Sequence, residues 1–154
     1  LRVASYYGCL LSRPPEVVAF DDAENPTCMD ELVEAVGAVS VSWPYKTECC
    51  GAGLSLTNSD VVSRLGYKLL TMAREAGADC MVVACPLCQA NLDLRQSDMR
   101  QAHGGISDTP VLYITQLLGL ALGLSSEELG LTALTVSAEP LFGNKTAACG
   151  VESQ

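Results

Sequence analysis

The chain has 154 residues, of which 49% are apolar, and a formal net charge of −9. This length and apolar content fit one globular domain with its own core and exclude a disordered chain. The negative charge argues against a nucleic-acid partner. No apolar run reaches the roughly 20 residues that a membrane span needs.

The cysteine content points to the compartment. Eight cysteines occur without a secretory signal peptide, which is typical of a reducing, cytoplasmic setting. Clustered cysteines in such proteins bind metals or do redox work more often than they form structural disulfides. The chain begins at Leu1, without Met, in what is predicted to be a strand, so we expect a piece of a longer protein.

Strand and helix patterns alternate along the chain. Residues 80–84 form a continuous apolar run, which is typical of a strand buried on both faces. Val61, Val62, Leu65 and Leu69 give the apolar stripe of a long helix. In chain order, the patterns predict a strand at 2–7, a short strand at 17–20, a helix from Thr27 to Gly37, a strand at 38–43, a helix from about 54 or 58 to Gly77, a strand at 80–84, a helix from Pro86 to about 101, a strand at 111–113, a helix at 115–122 and a short helix at 126–129.

This alternation predicts an α/β fold, namely a three-layer sandwich with a mostly parallel sheet of four or five strands and helices on both faces. We assign residues 2–122 to this domain and residues 123–154 to a C-terminal extension. In such a sheet, ligands bind at the carboxyl ends of the strands.

Five cysteines follow predicted strands and should therefore meet at that edge: Cys9, Cys49, Cys50, Cys85 and Cys88. Adjacent cysteines on an extended backbone point in opposite directions, which suits a disulfide or a four-ligand zinc site poorly. They suit a multi-iron centre, in which neighbouring thiolates reach different irons. Two alternatives stay open, a structural zinc module and a dithiol oxidoreductase that uses the C-P-L-C pair.

The other cysteines and the single histidine receive no functional role. We expect Cys28 and Cys80 to pack as small apolar residues. Cys149 lies in the uncertain tail, and His103 is expected in a loop or at a helix end.

Three polar residues, Lys46, Asn91 and Asp93, lie near the array in the sequence. Lys46 either helps to hold an anionic group or is a solvated loop lysine. Asn91 and Asp93 are expected to cap or solvate the helix that follows Cys88.

The array C-x39-C-C-G-x33-C-P-L-C resembles the cysteine-rich CCG domain of the B subunits of the heterodisulfide reductase family. Y-G-C near the start, W-P-Y-K-T-E-C-C-G-A at 43–52 and V-V-A-C-P-L-C-Q-A-N-L-D at 82–93 carry the resemblance. It covers most of residues 2–122 and is closer to the second of the two CCG domains in such a subunit.

This resemblance implies an oxidoreductase that acts within a complex. It implies a noncubane [4Fe-4S] cluster held by Cys9, Cys49, Cys50, Cys85 and Cys88, with no separate catalytic acid or base. The implied partners are the first CCG domain, A-type and C-type subunits that deliver electrons, and a disulfide substrate made of two thiol coenzymes. Because one domain is missing, we expect this chain alone to be inactive, and to lose its cluster or hold zinc instead when exposed to air.

Overall fold

The computed structural model describes residues 1–105 and 108–142; Cys149 lies outside these ranges. Within them, no helix is both long and apolar enough to cross a membrane. The elements are β1 (Arg2–Tyr6), α1 (Pro15–Val18), α2 (Cys28–Ala35), β2 (Val39–Ser40), a short 3-10 helix (Ala52–Leu54), α3 (Ser59–Glu75), β3 (Cys80–Val83), α4 (Pro86–Leu94), α5 (Gln96–His103), β4 (Val111–Tyr113), α6 (Ile114–Ala121), a second 3-10 helix (Leu131–Ala133) and α7 (Glu139–Phe142).

The four strands form one sheet in the order β2-β1-β3-β4. Every neighbouring pair is parallel. The β1–β3 pairing places Ala4 opposite Met81, and the β3–β4 pairing places Val82 opposite Leu112. The carboxyl ends of all four strands therefore lie along one edge, as the sequence predicted.

Two apolar cores cover the two faces of this sheet. Because side chains alternate along a strand, Tyr6 and Met81 point to one face and pack with Leu70 of α3. Val3 and Val82 are buried on the opposite face, in the core that includes α2 and α6. The predicted three-layer α/β sandwich is confirmed.

The second predicted strand is a helix. Residues 15–18 form the single turn α1, which begins with Pro15 at its first position. Val17 is 76% exposed, and α1 has no buried residue, so these residues contribute no side chain to the core of the sheet. Proline at the first helical position is pre-organised for a helix and has no N–H to lose.

The long helix predicted after Pro86 is divided in two at Arg95, which separates α4 from α5. The buried side chain of Gln96 explains the break. Its Nε2 donates 2.8 Å to Leu92 O and 2.7 Å to Thr109 O, and its Oε1 accepts from Thr109 N. The side chain thus satisfies a helix carbonyl and ties α5 to the segment before β4.

The segment after α6 packs back onto the sandwich. Residues 126–130 form turns instead of the predicted helix. Asp93 at the end of α4 is only 2% exposed, and its carboxylate accepts from Thr135 N at 2.8 Å and Val136 N at 3.1 Å. The expectation that Asp93 solvates its helix was wrong, because this carboxylate anchors the C-terminal segment to α4.

A candidate metal centre at the carboxyl edge of the sheet

The cysteines of the array lie where three adjacent strands end. Cys9 is in the turn after β1, and Cys49 and Cys50 are in the loop that follows β2. Cys85 comes after β3 and caps α4, whose first turn carries Cys88. Because β2, β1 and β3 are neighbours in a parallel sheet, these segments meet at one edge.

The sulfur atoms form two close pairs. The Sγ atoms of Cys9 and Cys49 are 3.9 Å apart, and those of Cys50 and Cys88 are 3.5 Å apart. Both separations exceed the roughly 2.05 Å of a disulfide bond, and the cysteines of the described ranges are free thiols. The Cys9–Cys49 pair is exposed, whereas Cys50 and Cys88 are only 3% and 4% exposed.

The fifth cysteine, Cys85, belongs to the buried side of the site. It is 7% exposed, and its proximity helps to raise the pKa of the Cys88 thiol. Within residues 1–105 and 108–142, however, no three His, Cys, Asp or Glu side chains converge tightly enough to hold a single metal ion. The arrangement is therefore a set of thiol pairs and not a preformed mononuclear cage.

Hydrogen bonds join the turn that carries Cys9 to the loop that carries Cys49 and Cys50. The amides of Tyr7 and Gly8, just before Cys9, both donate to Lys46 O at 2.8 and 3.0 Å. The hydroxyl of Tyr6 donates to Glu48 O at 2.6 Å. The turn that carries Cys9 is thereby fixed to the loop that carries Cys49 and Cys50.

Gly8 fits this crowded point for two reasons. Its φ is +64°, which side-chain-bearing residues rarely adopt. A Cβ at this position would lie 3.3 Å from Cys88 Sγ and 3.4 Å from the Tyr6 hydroxyl. Glycine therefore leaves the space that the close approach of backbone and sulfur requires.

The two buried thiols, Cys50 and Cys88, have pKa values shifted in opposite directions. A hydrogen bond from the Cys88 thiol lowers the pKa of Cys50 to about 6. The same bond raises the pKa of Cys88, and burial adds to that effect. Cys50 is thus the thiol that deprotonates first, and a thiolate is the form that binds metals.

The exposed pair and the neighbouring tyrosine behave differently. Burial and the nearby Cys49 raise the pKa of Cys9. Burial is also the main cause of the raised pKa of Tyr6, and the charges of Cys50 and Cys88 add to it. Tyr6 therefore stays protonated, and its hydroxyl keeps the hydrogen bond to Glu48 O.

Lys46 is neither a solvated loop lysine nor a free cation. Its ammonium group lies 3.2 Å from Asp30 Oδ2 and donates to Pro26 O at 2.5 Å, with the side chain 14% exposed. The Tyr7 hydroxyl donates to the same carboxylate oxygen. The carboxylate neutralises the lysine, whose role is to fix the loop before Cys49.

Asn91 contributes to the site in a way that the sequence did not predict. It was expected to cap or solvate its helix, but it is buried, and its Nδ2 donates to Cys50 O at 2.9 Å. Its position three residues after Cys88 puts it on the same face of α4, which was the available signal.

The remaining cysteines and His103 lie away from these pairs. Cys80 in β3 is fully buried, and burial raises its pKa to about 12, so its packing role is confirmed. Cys28 begins α2 and is partly buried. His103 ends α5, as predicted, where Nε2 lies 3.2 Å from Ser63 Oγ and the ring packs at a tilt of 43° against Tyr67.

Fold and site together define a cysteine-rich α/β domain whose thiols gather at the carboxyl edge of a parallel sheet. The family of the cysteine-rich domain called CCG matches residues 3–93, which include all five cysteines of the array. The chain belongs to this family.

Several similar proteins are subunits of reductases. The chain is 42% identical, over 134 residues, to the B subunit of the ferredoxin/F(420)H(2)-dependent CoB-CoM heterodisulfide reductase of Methanosarcina acetivorans, covering 85% of this chain and 44% of that protein. It is 35% identical over 141 residues to the 8-methylmenaquinol:fumarate reductase membrane anchor subunit of Wolinella succinogenes, covering 92% and 50%. An Archaeoglobus profundus protein that is like the B subunit of heterodisulfide reductase is 32% identical over 132 residues, covering 83% and 44%. The chain thus spans about half the length of these relatives or less.

Proposed function

We propose that this chain is an iron–sulfur redox domain from the B subunit of a heterodisulfide-reductase-like complex, with Cys9, Cys49, Cys50, Cys85 and Cys88 as its cluster ligands. The observation that carries the proposal is that two close thiol pairs, Cys9–Cys49 and Cys50–Cys88, join three chain segments at one sheet edge. The similarity to the B subunits of heterodisulfide reductases supports it.

The donor set fits an iron–sulfur cluster. Cysteine thiolates are the usual ligands of such clusters. The buried half of the site already favours one thiolate, Cys50, and Gly8 leaves room for backbone beside Cys88 Sγ. We propose a noncubane [4Fe-4S] cluster, because five thiolates are one more than a cubane needs. When bound, the cluster would supply the electrons that reduce a disulfide.

The protein's own residues prepare this site. Tyr6 and Asn91 donate hydrogen bonds to the segment that carries Cys49 and Cys50. The buried Cys50–Cys88 pair lies within the apolar core on one face of the sheet, where little water reaches it. No separate acid or base is assigned a role in the reaction.

The surroundings of the site support a partner domain. Leu10 and Leu87, which neighbour Cys9 and Cys88 in the chain, are each 63% exposed. Where exposed apolar side chains form one patch, the patch marks a protein interface. We propose that the other CCG domain of the subunit covers this edge, that this chain is the second of the two, and that A-type and C-type subunits deliver electrons to it.

Anaerobic reconstitution with iron and sulfide tests the proposal. The purified chain should take up iron together with acid-labile sulfide, and Cys49→Ser and Cys50→Ser should reduce the uptake strongly. One tightly held zinc per chain without sulfide would favour the structural zinc module instead. Reduction of a disulfide by the metal-free protein would favour the dithiol oxidoreductase.

A further inference from the structure

Asn91 joins the two chain segments that hold the buried thiols. Its side chain is 4% exposed, and Nδ2 donates to Cys50 O at 2.9 Å. Asn91 follows Cys88 by three residues on α4, so this bond fastens the C-C-G loop to the helix that carries Cys88. A buried hydrogen bond of this kind is stronger than one in water and restricts the loop to one position.

The same carboxamide also acts on the thiol of Cys50. After the bond from Cys88, the amide of Ala52 and the side chain of Asn91 help to lower the pKa of Cys50, against the effect of burial. A carboxamide nitrogen carries two N–H donors, so it can serve both the carbonyl and the sulfur of one residue.

The environment of Oδ1 indicates that the Nδ2 donor determines how the Asn91 side chain is oriented. Its Oδ1 is buried and has no hydrogen-bond partner among the described residues. A buried acceptor without a partner destabilises the folded state. If the amide were flipped, Oδ1 would face Cys50 O, and two hydrogen-bond acceptors would oppose each other. The bond from Nδ2 to Cys50 O therefore fixes the orientation of the amide.

We propose that Asn91 is a positioning residue, which holds Cys50 as a ligand and, through its N–H groups, raises the reduction potential of the centre that Cys50 helps to bind. The proposal rests on the proposed function. Hydrogen bonds to ligand sulfurs withdraw electron density, which favours the reduced cluster, and outer contacts of this kind tune metal sites.

Two variants and one matched control test the proposal on reconstituted protein. Asn91→Leu removes the donors at similar size, and Asn91→Asp replaces the donor by an acceptor and carries the test if the leucine variant does not fold. Gln96→Leu is the control, because Gln96 is an equally buried amide whose bonds go only to the backbone at Leu92 and Thr109. Each is compared by redox titration, by EPR and by amide exchange of the metal-free form.

We expect either Asn91 variant to make one-electron reduction about tenfold less favourable, a potential about 59 mV more negative. The EPR signal should change, and the amides of Gly51 and Ala52 should exchange faster even without metal. Gln96→Leu should change neither the potential nor that exchange. Wild-type potential, EPR signal and exchange rates in the Asn91 variants would overturn the proposal. A wild-type chain that binds no iron refutes the proposed function instead, and the exchange rates then decide alone whether Asn91 holds the loop.

Discussion

The sulfur of Cys50 lies 3.5 Å from that of Cys88, although 38 residues separate them in the chain. Two free thiols at this distance need only a small movement to reach bonding distance. In the metal-free protein, glutathione disulfide should therefore oxidise this pair, each thiol giving up one electron and one proton to the oxidant. We expect peptide mapping to find the Cys50–Cys88 disulfide, with Cys9–Cys49 as a second product.

The control for this prediction is already in the chain. Cys80 is fully buried, and burial and the nearby Asp21 raise the pKa of Cys28, so neither should enter a disulfide at the same oxidant concentration. Exclusive formation of a Cys85–Cys88 disulfide would contradict the described pairing.

The pKa of the buried pair predicts a pH dependence of stability. The pKa of Cys50 is about 6 in the folded protein but near the ordinary thiol value of 9.0 when unfolded. Between these values the unfolded chain binds more protons, so the free energy of unfolding rises with pH and is lost as the pH falls towards 6. Above pH 9 the raised pKa of Cys88 reverses the trend, because the folded protein then retains the proton.

Urea denaturation of the reduced, metal-free protein measures this effect. Cys88→Ala removes the hydrogen bond that lowers the pKa of Cys50. The difference in the free energy of unfolding between wild type and Cys88→Ala should therefore grow from pH 6 to pH 9, while other titrating groups cancel. A difference that is constant over this range would contradict the lowered pKa of Cys50.

A comparison of Gly8→Ala with Gly37→Ala separates the effect of backbone strain from the effect of crowding at Cys88 Sγ. Gly8→Ala would force a side chain into a left-handed conformation, at a cost of about 1–2 kcal/mol, and would also press on Cys88 Sγ. Gly37→Ala carries the same strain, since its φ is +80°, but has no atom within 4 Å of the new Cβ. Thermal unfolding should show a larger loss for Gly8→Ala, and only that variant should lose iron uptake. Equal behaviour of the two would show that the close approach is unimportant.

Asp93 should contribute strongly to stability, although it is not a ligand. Asp93→Ala removes two hydrogen bonds to a buried carboxylate, and we expect a loss of about 2–4 kcal/mol in urea denaturation. Asp98→Ala is the control, because Asp98 is exposed on α5. If the two variants lose the same stability, the C-terminal segment is not anchored through Asp93.

The convergence of the cysteines could be predicted from the sequence because topology alone produces it. Alternating strands and helices require parallel strands, and residues that follow parallel strands share an edge. The buried run at residues 80–83 and the break at Gly77 were sufficient signals for β3 and the end of α3. Neither depends on contacts between distant residues.

What the sequence did not predict depends on such contacts. The burial of Asn91 and Asp93 follows from their partners, Cys50 and the segment at 135–136, which are more than 40 residues away. The break at Arg95 depends on a bond from Gln96 to Thr109 O. The helical turn at Pro15–Val18 replaced a predicted strand because no neighbouring strand was available to bury it.

Iron and acid-labile sulfide per chain, measured after anaerobic reconstitution, test the central claim most directly. The account predicts that wild type binds both, that Cys28→Ser binds as much as wild type, and that serine at Cys9, Cys49, Cys50, Cys85 or Cys88 lowers the content of both. Wild-type protein without iron and sulfide, or five variants that bind as much as wild type, would contradict the claim that these thiols hold an iron–sulfur cluster.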